Sequence, residues 1–188
     1  MAGPSSNKCL SQLVTLRAIT LEDLPAVRHL HALAYKVATA ARLSEAEIEA
    51  FARHVRSVSY CDDLLREHVV CAFIHDELVG TAGWCPADDR GVAARIRSVF
   101  VRPLFAREGL GQTLVRDAEA RARKAGFREF TVQAGPHAQP FFAALGYEVS
   151  SYGTQTLSDG AALPVVFMRR TDEAGGTGEE TAGDSGSQ

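Results

Sequence analysis

The sequence lacks an apolar run long enough to cross a membrane. The longest uninterrupted run, VVCAFI at residues 69–74, has six residues, whereas a helix that spans a bilayer needs about 20. The opening residues, MAGPSSNKCLSQ, also lack the basic start and the apolar core of a secretory signal. We therefore predict a protein that works in the cytoplasm and has no membrane partner.

A surplus of positive charge is also missing, because the formal net charge is −3. No overall positive field is present to hold nucleic acid, so we expect no nucleic-acid partner and only a local site for any anion. The four cysteines form no C-x-x-C pair. Scattered cysteines of this kind behave as small hydrophobic residues in a reducing compartment, and we expect no metal site.

The two ends of the chain hold few large apolar side chains. Residues 171–188, TDEAGGTGEETAGDSGSQ, contain five glycines and five acidic residues, and such a segment cannot bury enough apolar surface to become ordered. We predict a flexible N-terminus over residues 1–12, one folded domain over residues 13–170 and a disordered Gly/acidic tail over residues 171–188.

Periodic patterns predict the elements of the folded part. Alternating apolar residues predict seven strands, which are LVTLRAI, HVVCAFI, ELVGTAGW, AARIRSVFV, FREFTVQA, YEVSSYG and LPVVFM. Ser44 with Glu47 forms a capping box for one helix of about 14 residues, and Gly126 and Gly146 end two others. The order β-α-α-β-β-β-α-β-α-β-β predicts an α/β fold with a mixed central sheet of about seven strands flanked by helices on both faces.

One predicted strand leads into a helix through two glycines, Gly109 and Gly111. The first N–H groups of a helix have no partner within the helix, and the helix dipole adds about half a positive charge there. Glycine also lets a ligand approach the backbone closely. We predict that the amides of residues 107–112 hold a pyrophosphate, with Arg102 and Arg107 adding charge. The alternative is an ordinary tight turn.

Two other nucleotide motifs do not fit this segment. A dinucleotide fingerprint needs a glycine at position 114, where the chain has Leu114. A P-loop needs Lys-Ser or Lys-Thr after the second glycine, where the chain has Gln112 and Thr113.

The segments VFVRPLFAREGLGQTL, AGF and PFFAALGYE resemble the GNAT family of N-acetyltransferases. Together with the order of strands and helices, the resemblance covers nearly all of residues 13–170. The family motif runs from a strand and a proline through Gln or Arg, two residues, Gly, one residue, and Gly or Ala. Ala106 stands where the motif has Gln or Arg, and Arg107 follows one place later. The departure affects one side-chain contact and leaves the backbone amides in place.

The resemblance implies a GNAT-like fold and acetyl-CoA as the co-substrate, with no metal. In the family the pantetheine arm lies along the fourth strand, where the fifth strand splays away. The implied cofactor-binding residues are Val99, Phe100, Val101, Arg107, Glu108, Gly109, Leu110, Gly111, Gln112, His137 and Phe141. For His137 the alternative is a helix cap or an exposed imidazole.

Acetyl transfer to an amine needs proton removal, because an alkylammonium has a pKa of about 10. A strand amide such as that of Val99 or Phe100 can polarise the thioester carbonyl. Many relatives carry a tyrosine that protonates the leaving thiolate, four residues before the glycine of LGY; here that position is Phe142, which cannot donate a proton. Tyr147 and His137 are the remaining catalytic candidates, with Tyr152 or water as alternatives, and no base is identified.

Two residues are predicted to contact the acceptor. Arg97 follows Arg95 on the fourth strand, and period-two alternation places both on the face of Val99 and Val101. Such an arginine would hold a carboxylate or phosphate of the acceptor. The alternative is a surface ion pair with a nearby carboxylate, either Asp88, Asp89 or Glu67.

Trp84, at the end of the third strand, is the second predicted acceptor contact, and its alternative is packing in the core.

The predicted function is transfer of the acetyl group of acetyl-CoA to the amine of a small molecule or a peptide, by direct attack in a ternary complex. One alternative is a catalytically weak module that binds or senses CoA or acyl-CoA, because Phe142 replaces the usual acid. Another is a transferase of longer acyl groups, or one that acts on a protein N-terminus or lysine. No motif identifies the acceptor, and the oligomeric state stays open between a monomer and a homodimer.

Overall fold

The computed structural model describes residues 13–88 and 91–172. The first half of the chain contains β1 (Thr15–Ala18), α1 (Leu24–Thr39), α2 (Glu45–His54), α3 (Val58–Arg66), β2 (Val70–Ile74) and β3 (Glu77–Pro86). The second half contains β4 (Ala93–Val101), α4 (Leu110–Lys124), β5 (Glu129–Ala134), α5 (Gln139–Ala144), β6 (Glu148–Thr156) and β7 (Ala162–Thr171).

The seven strands form one sheet in the order β1-β2-β3-β4-β5-β7-β6. Neighbouring strands are antiparallel except for β4 and β5, which are parallel. A parallel pair requires a crossover, and α4 supplies it. The predicted mixed α/β sheet of seven strands is confirmed.

Each face of the sheet buries its own core. On one face α4 packs Leu114, Val115 and Ala118 against Ile96 and Phe130. On the other face side chains of α1 and α3 pack against β2 and β3, namely Val27, Leu30, Leu64, Cys71 and Leu78. The sheet is thus the middle of three layers, and β4 lies between the two cores.

The chain has one more helix than the sequence predicted. The Ser44–Glu47 capping box is present, since the Glu47 N–H donates to Ser44 Oγ at 3.3 Å and the Ser44 N–H donates to Glu47 Oε2 at 2.8 Å. The helix it opens ends at His54 instead of continuing to Val58. Ser57 is extended and its hydroxyl accepts the Tyr60 N–H at 3.3 Å, so it starts the separate helix α3.

Strand β4 has the predicted bounds but contains a bulge. Thr81 of β3 pairs with Phe100, and Gly83 pairs with Arg97, so three steps along β4 match two steps along β3. Ser98 takes a left-handed φ of 54° within this irregular stretch. An extra residue of this kind bends the strand and changes which side chains face each side.

The bulge overturns the predicted alternation along β4. Val99 and Val101 pack against the α4 core, whereas Phe100 packs against the α1 core. Arg95 and Arg97 flank Ile96, which packs in the α4 core, so they lie on the α1 side with Phe100. The prediction that both arginines share a face with Val99 and Val101 is wrong, because period-two alternation does not continue through a bulge.

The folded part continues past the predicted boundary at residue 170. Strand β7 includes Thr171, and the Asp172 N–H donates to the Arg128 carbonyl at 3.0 Å. The predicted flexible segment 1–12 and residues 173–188 of the predicted tail lie outside the described residues. Among the helices in the described ranges, none has the length and apolar character needed to cross a membrane.

Candidate functional site

The sheet opens between β4 and β5. Their pairing runs from Ala93 with Glu129 to Ile96 with Val132 and stops there. Beyond that point the two strands separate, and a cavity of about 180 Å³ lies between them. We call this opening the cleft. Backbone groups at the diverging ends face it without a ladder partner across the gap, which leaves them available to a ligand.

The elements around the sheet supply the walls of the cleft. Its base is formed by residues 95–100 of β4 and 132–135 of β5. One wall carries the aromatic residues of the first three helices, which are Tyr35, Phe51, His54 and Tyr60. The other sides are lined by His137, Phe142 and residues of the β6–β7 hairpin, Gln155, Leu163, Pro164 and Val165.

The loop before α4 exposes a series of free amides. Gly109 takes a left-handed conformation, with φ 81° and ψ −6°, and precedes the first helical residue. The first backbone hydrogen bond of the helix runs from the Thr113 N–H to the Gly109 carbonyl at 3.1 Å. Within the described ranges, the N–H groups of residues 107–112 donate to no acceptor. Unpaired amides at a helix start favour an anion.

Gly111 joins this loop to the end of β4. A Cβ atom built on Gly111 would lie 3.4 Å from the Phe141 ring and 3.6 Å from Val101 Cγ2. Val101, Gly111 and Phe141 therefore meet where β4 leaves the sheet. The predicted residues Val99, Phe100 and His137 line the cleft itself. The structure thus brings the strand and loop residues that were named from the sequence to one end of one strand.

The two arginines near this loop differ in their partners. Arg102 forms an ion pair with Glu77. Arg107 and Glu108 are exposed, and Arg107 makes no ion pair with any described residue. Arg107 is thus the guanidinium that is free to approach an anion at the loop.

The acceptor end of the cleft contains two arginines and one buried carboxylate. Arg97 forms an ion pair with Glu67, the alternative that the sequence left open, and it also lines the cleft. Burial raises the pKa of Glu67, and the charge of Arg97 opposes that rise. Arg95 lines the cleft and makes no hydrogen bond or ion pair within the described part of the chain. Two guanidinium groups thus lie near one carboxylate, Glu67, whose charge interacts with both.

Trp84 does not reach the cleft. Its side chain is 6% exposed and packs in the α4 core. The indole stacks on His68 with ring centroids 4.2 Å apart and meets Phe127 edge-on at 5.4 Å. The structure places Trp84 in the core, which was the alternative to its predicted contact with the acceptor.

The two catalytic candidates lie in different places. Tyr147 is 3% exposed, and its hydroxyl donates to Glu119 Oε1 at 2.7 Å in the α4 core. Burial raises the pKa of Tyr147, and the Glu119 carboxylate adds to that rise. His137 lines the cleft, and burial lowers its pKa. Phe142 also lines the cleft, with its ring centroid 5.6 Å from that of Tyr147.

Several cleft residues were not identified from the sequence, among them His54 and Tyr60. His54 ends α2, and one of its ring nitrogens lies 3.2 Å from Ser158 Oγ. Burial lowers the pKa of His54. Tyr60 lies on α3, the helix that was missed, and Ser57 before it was the available signal. No group of three or more His, Cys, Asp or Glu residues within the described ranges is arranged to hold a metal.

A protein-family model matches most of the chain. The model described as an acetyltransferase (GNAT) domain matches residues 39–169. The sequence search against curated proteins found no match.

Solved structures show the same fold. A GCN5-related N-acetyltransferase of Rhodopseudomonas palustris is 23% identical with a TM-score of 0.74, over 84% of this chain and 94% of that one. The PaiA N-acetyltransferase of Thermoplasma acidophilum, solved with coenzyme A, is 18% identical with a TM-score of 0.69, over 85% and 99%. A phosphinothricin acetyltransferase of Sinorhizobium meliloti, solved with acetyl-CoA, is 20% identical with a TM-score of 0.57, over 85% and 88%. The predicted GNAT-like fold class is confirmed.

Proposed function

This chain belongs to the GNAT family of acetyltransferases, and we propose that it moves the acetyl group of acetyl-CoA to an amine held in the cleft. The observation that carries the proposal is the row of free amides at residues 107–112, which lies at the end of the strand that borders the cleft. An anionic group at the loop and a reacting group in the cleft would then be joined along β4.

The loop would bind the diphosphate of coenzyme A and the strand would bind its pantetheine arm. The free amides of residues 107–112 would bind the diphosphate, and Arg107 would add charge. Backbone groups at Val99 and Val101, beyond the last pair between β4 and β5, would bind the pantetheine amides in the manner of an added strand. His137 and Phe141 would pack beside the arm, one in the cleft and one against Gly111.

Acetyl-CoA supplies the acetyl group, so that a C–N bond to the amine forms as the C–S bond breaks and the sulfur ends as a thiol. The residues of this chain would position the two reactants, polarise the thioester carbonyl and move protons. An amide of Val99 or Phe100 would donate to the carbonyl oxygen. We assign proton acceptance to His137, because burial lowers its pKa and keeps the ring neutral at about pH 7. Tyr147 is a weaker candidate because it lies outside the cleft.

We propose an acceptor that carries an anionic group beside its amine, either a small molecule or a peptide. Arg95 makes no hydrogen bond or ion pair in the described residues, and Glu67 is one carboxylate near two arginines, so the acceptor end is net positive. A carboxylate or phosphate matches the guanidinium geometry. Arg97→Ala should raise the acceptor KM, whereas Arg121→Ala, on the exposed face of α4, should leave it unchanged.

The first experiment tests the co-substrate. Thermal unfolding is measured with acetyl-CoA, CoA, longer acyl-CoAs and NADP, each at millimolar concentration. A ligand at about 1,000 times its Kd stabilises by about 4 kcal/mol, and we expect this from acetyl-CoA and CoA but not from NADP. Stabilisation by NADP alone would contradict the proposal. Release of free thiol with a panel of amines then tests transfer.

A second candidate is a module that binds acyl-CoA without efficient turnover. Phe142 favours it, because it lines the cleft at the position of the usual acid. Loss of an acid is tolerable, since a thiol with a pKa of about 8.5 leaves readily. Binding of acetyl-CoA without thiol release from any amine would favour this candidate over transfer.

We also propose a cytoplasmic location, and the cysteines support it. The cysteines in the described ranges, Cys61, Cys71 and Cys85, are free thiols, which suits a reducing compartment. A homodimer stays a prediction, and light scattering of the purified chain would test it.

A further inference from the structure

A fully buried histidine connects the cleft to the bulge of β4. His31 lies on α1, and its Nδ1 is 2.7 Å from the Tyr60 hydroxyl oxygen. Its Nε2 is 2.8 Å from Thr81 Oγ1, and the Thr81 hydroxyl donates to the Ser98 carbonyl at 2.6 Å. The Phe100 ring stacks on the imidazole with centroids 4.1 Å apart. One series of hydrogen bonds thus connects the side chains of Tyr60, His31 and Thr81 with the Ser98 carbonyl.

The proton positions in this series of hydrogen bonds follow from its last acceptor, the Ser98 carbonyl. A carbonyl oxygen only accepts, so the single hydroxyl proton of Thr81 is committed to Ser98. His31 Nε2 must then donate to Thr81 Oγ1. Burial lowers the pKa of His31 to about 3, so the ring is neutral and Nδ1 carries a lone pair. The Tyr60 hydroxyl therefore donates to Nδ1.

This order fixes what Tyr60 offers to the cleft. Tyr60 lines the cleft, and its one hydroxyl proton points inward to His31. A further hydrogen bond to the phenol oxygen must come from a donor, and an amine N–H is such a donor. Hydrogen bonds aligned in series also polarise one another, which strengthens the acceptor at the cleft end.

The other end of this series of hydrogen bonds orients the backbone amide of Val99. The Ser98 carbonyl is held by Thr81, a residue of the neighbouring strand β3. Carbonyl and N–H point in opposite directions across a trans peptide, and the described chain has no cis peptide. The Val99 N–H is therefore directed away from the Thr81 hydroxyl of β3, at a position where β4 has no pairing with β5.

We propose that His31 is a positioning residue for acetyl transfer, which presents the Tyr60 oxygen to the attacking amine and holds the Val99 amide toward the thioester carbonyl. The inference rests on the proposed function. It assigns His31 no role as a base, because a proton moved from an ammonium to this buried ring would lie on a much weaker base. His31 acts through Tyr60 and Thr81, and neither His31 nor Thr81 touches the substrate.

The first test needs neither acetyl-CoA nor an acceptor. Long-range proton–nitrogen NMR of the 15N-histidine-labelled protein reports which ring nitrogen of His31 is protonated. We expect a proton on Nε2, none on Nδ1, and no change across about pH 6 to 9. In Tyr60→Phe the Nδ1 resonance alone should move strongly. A proton on Nδ1, or a ring that titrates near the ordinary histidine value, would overturn the inference.

The second test measures transfer with the amine of the panel that releases thiol fastest. Thr81→Val should lower kcat by about a hundredfold, the lower end of the range for removal of an oxyanion donor, while the Kd for acetyl-CoA is unchanged. Thr81→Ser keeps the hydroxyl and should restore the rate. Thr154→Val is the matched control on the exposed strand β6. Thermal melts identify any variant that fails to fold, and Thr81→Ser then carries the comparison.

Tyr60→Phe completes the design. It should raise the acceptor KM about tenfold, the cost of one hydrogen bond. Tyr152→Phe should not, because Tyr152, a catalytic alternative from the sequence, is 69% exposed and does not line the cleft. Equal kinetics in Tyr60→Phe and wild type would overturn the inference while leaving the proposed function intact. Absence of thiol release by the wild type with every amine would instead refute the proposed function, and the positioning role with it.

Discussion

Replacing Tyr147 by phenylalanine separates a structural role from a catalytic one. The substitution deletes one hydroxyl and keeps the ring, so the packing against Phe142 is retained. The hydroxyl donates to Glu119, which is 1% exposed and also accepts from Arg170 at 2.8 Å and Arg123 at 3.4 Å. Glu119 therefore loses one of its donors but keeps its ion pairs.

The expected cost is set by that single bond. A hydrogen bond to a charged group contributes about 1.5–3 kcal/mol, and the surviving contact with Arg170 places the loss near the lower end. We expect Tyr147→Phe to lower the free energy of unfolding in urea by about 2 kcal/mol. Because Tyr147 lies outside the cleft, kcat for thiol release should stay within about twofold of wild type.

The control is Tyr152→Phe, which removes the same hydroxyl from a residue that is 69% exposed. It should change neither the unfolding free energy nor kcat. A fall in kcat of Tyr147→Phe by more than about tenfold with unchanged stability would refute the reasoning, since it would mean that the hydroxyl reaches the reacting atoms.

Three further predictions concern stability. Gly111→Ala should unfold at the same temperature as wild type or higher, because its Cβ meets only ordinary contacts and alanine is the better helix former by about 1 kcal/mol. Gly109→Ala should lower the unfolding free energy by about 1–2 kcal/mol, because Gly109 has a left-handed φ. The reverse order of the two variants in thermal melts would contradict this prediction. Asp23→Asn should lower the unfolding free energy by about 2 kcal/mol at neutral pH, because an arginine bond lowers the pKa of Asp23 to about 2. That stabilisation is present above about pH 4 and is lost as the pH falls toward 2, so urea titrations of variant and wild type should converge there; a constant difference would count against it. Glu119→Gln should cost about 3 kcal/mol and Asp117→Asn, in an exposed pair on the same helix, less than about 0.5, and equal costs in urea unfolding would show that the buried network adds nothing.

Sequence patterns predicted the sheet but not the irregularity that shapes its site. The apolar run AARIRSVFV gave the bounds of β4, because strand patterns depend on side chains alone. The bulge at Ser98 depends on pairing with β3 and on the Thr81 hydroxyl, which lies 17 residues away. No residue type in β4 indicates it, so the assignment of Arg97 and Val99 to one face failed there.

The glycine loop was predictable and the His31 chain was not. Gly109 and Gly111 are only two positions apart in the sequence, so their spacing alone indicated a turn with exposed amides. His31 meets Tyr60 and Thr81 only once residues 29 and 50 positions apart in the sequence have come together in the fold. Tyr60 also lies on α3, whose polar residues conceal its helical spacing, although Ser57 supplied a cap signal.

A crystal structure of the protein with coenzyme A bound tests the central claim most directly. We predict diphosphate oxygens within about 3 Å of the amide nitrogens at the start of α4, in the range of Gly109 to Gln112. A diphosphate bound elsewhere, with this loop empty at full occupancy of the coenzyme, would contradict the account.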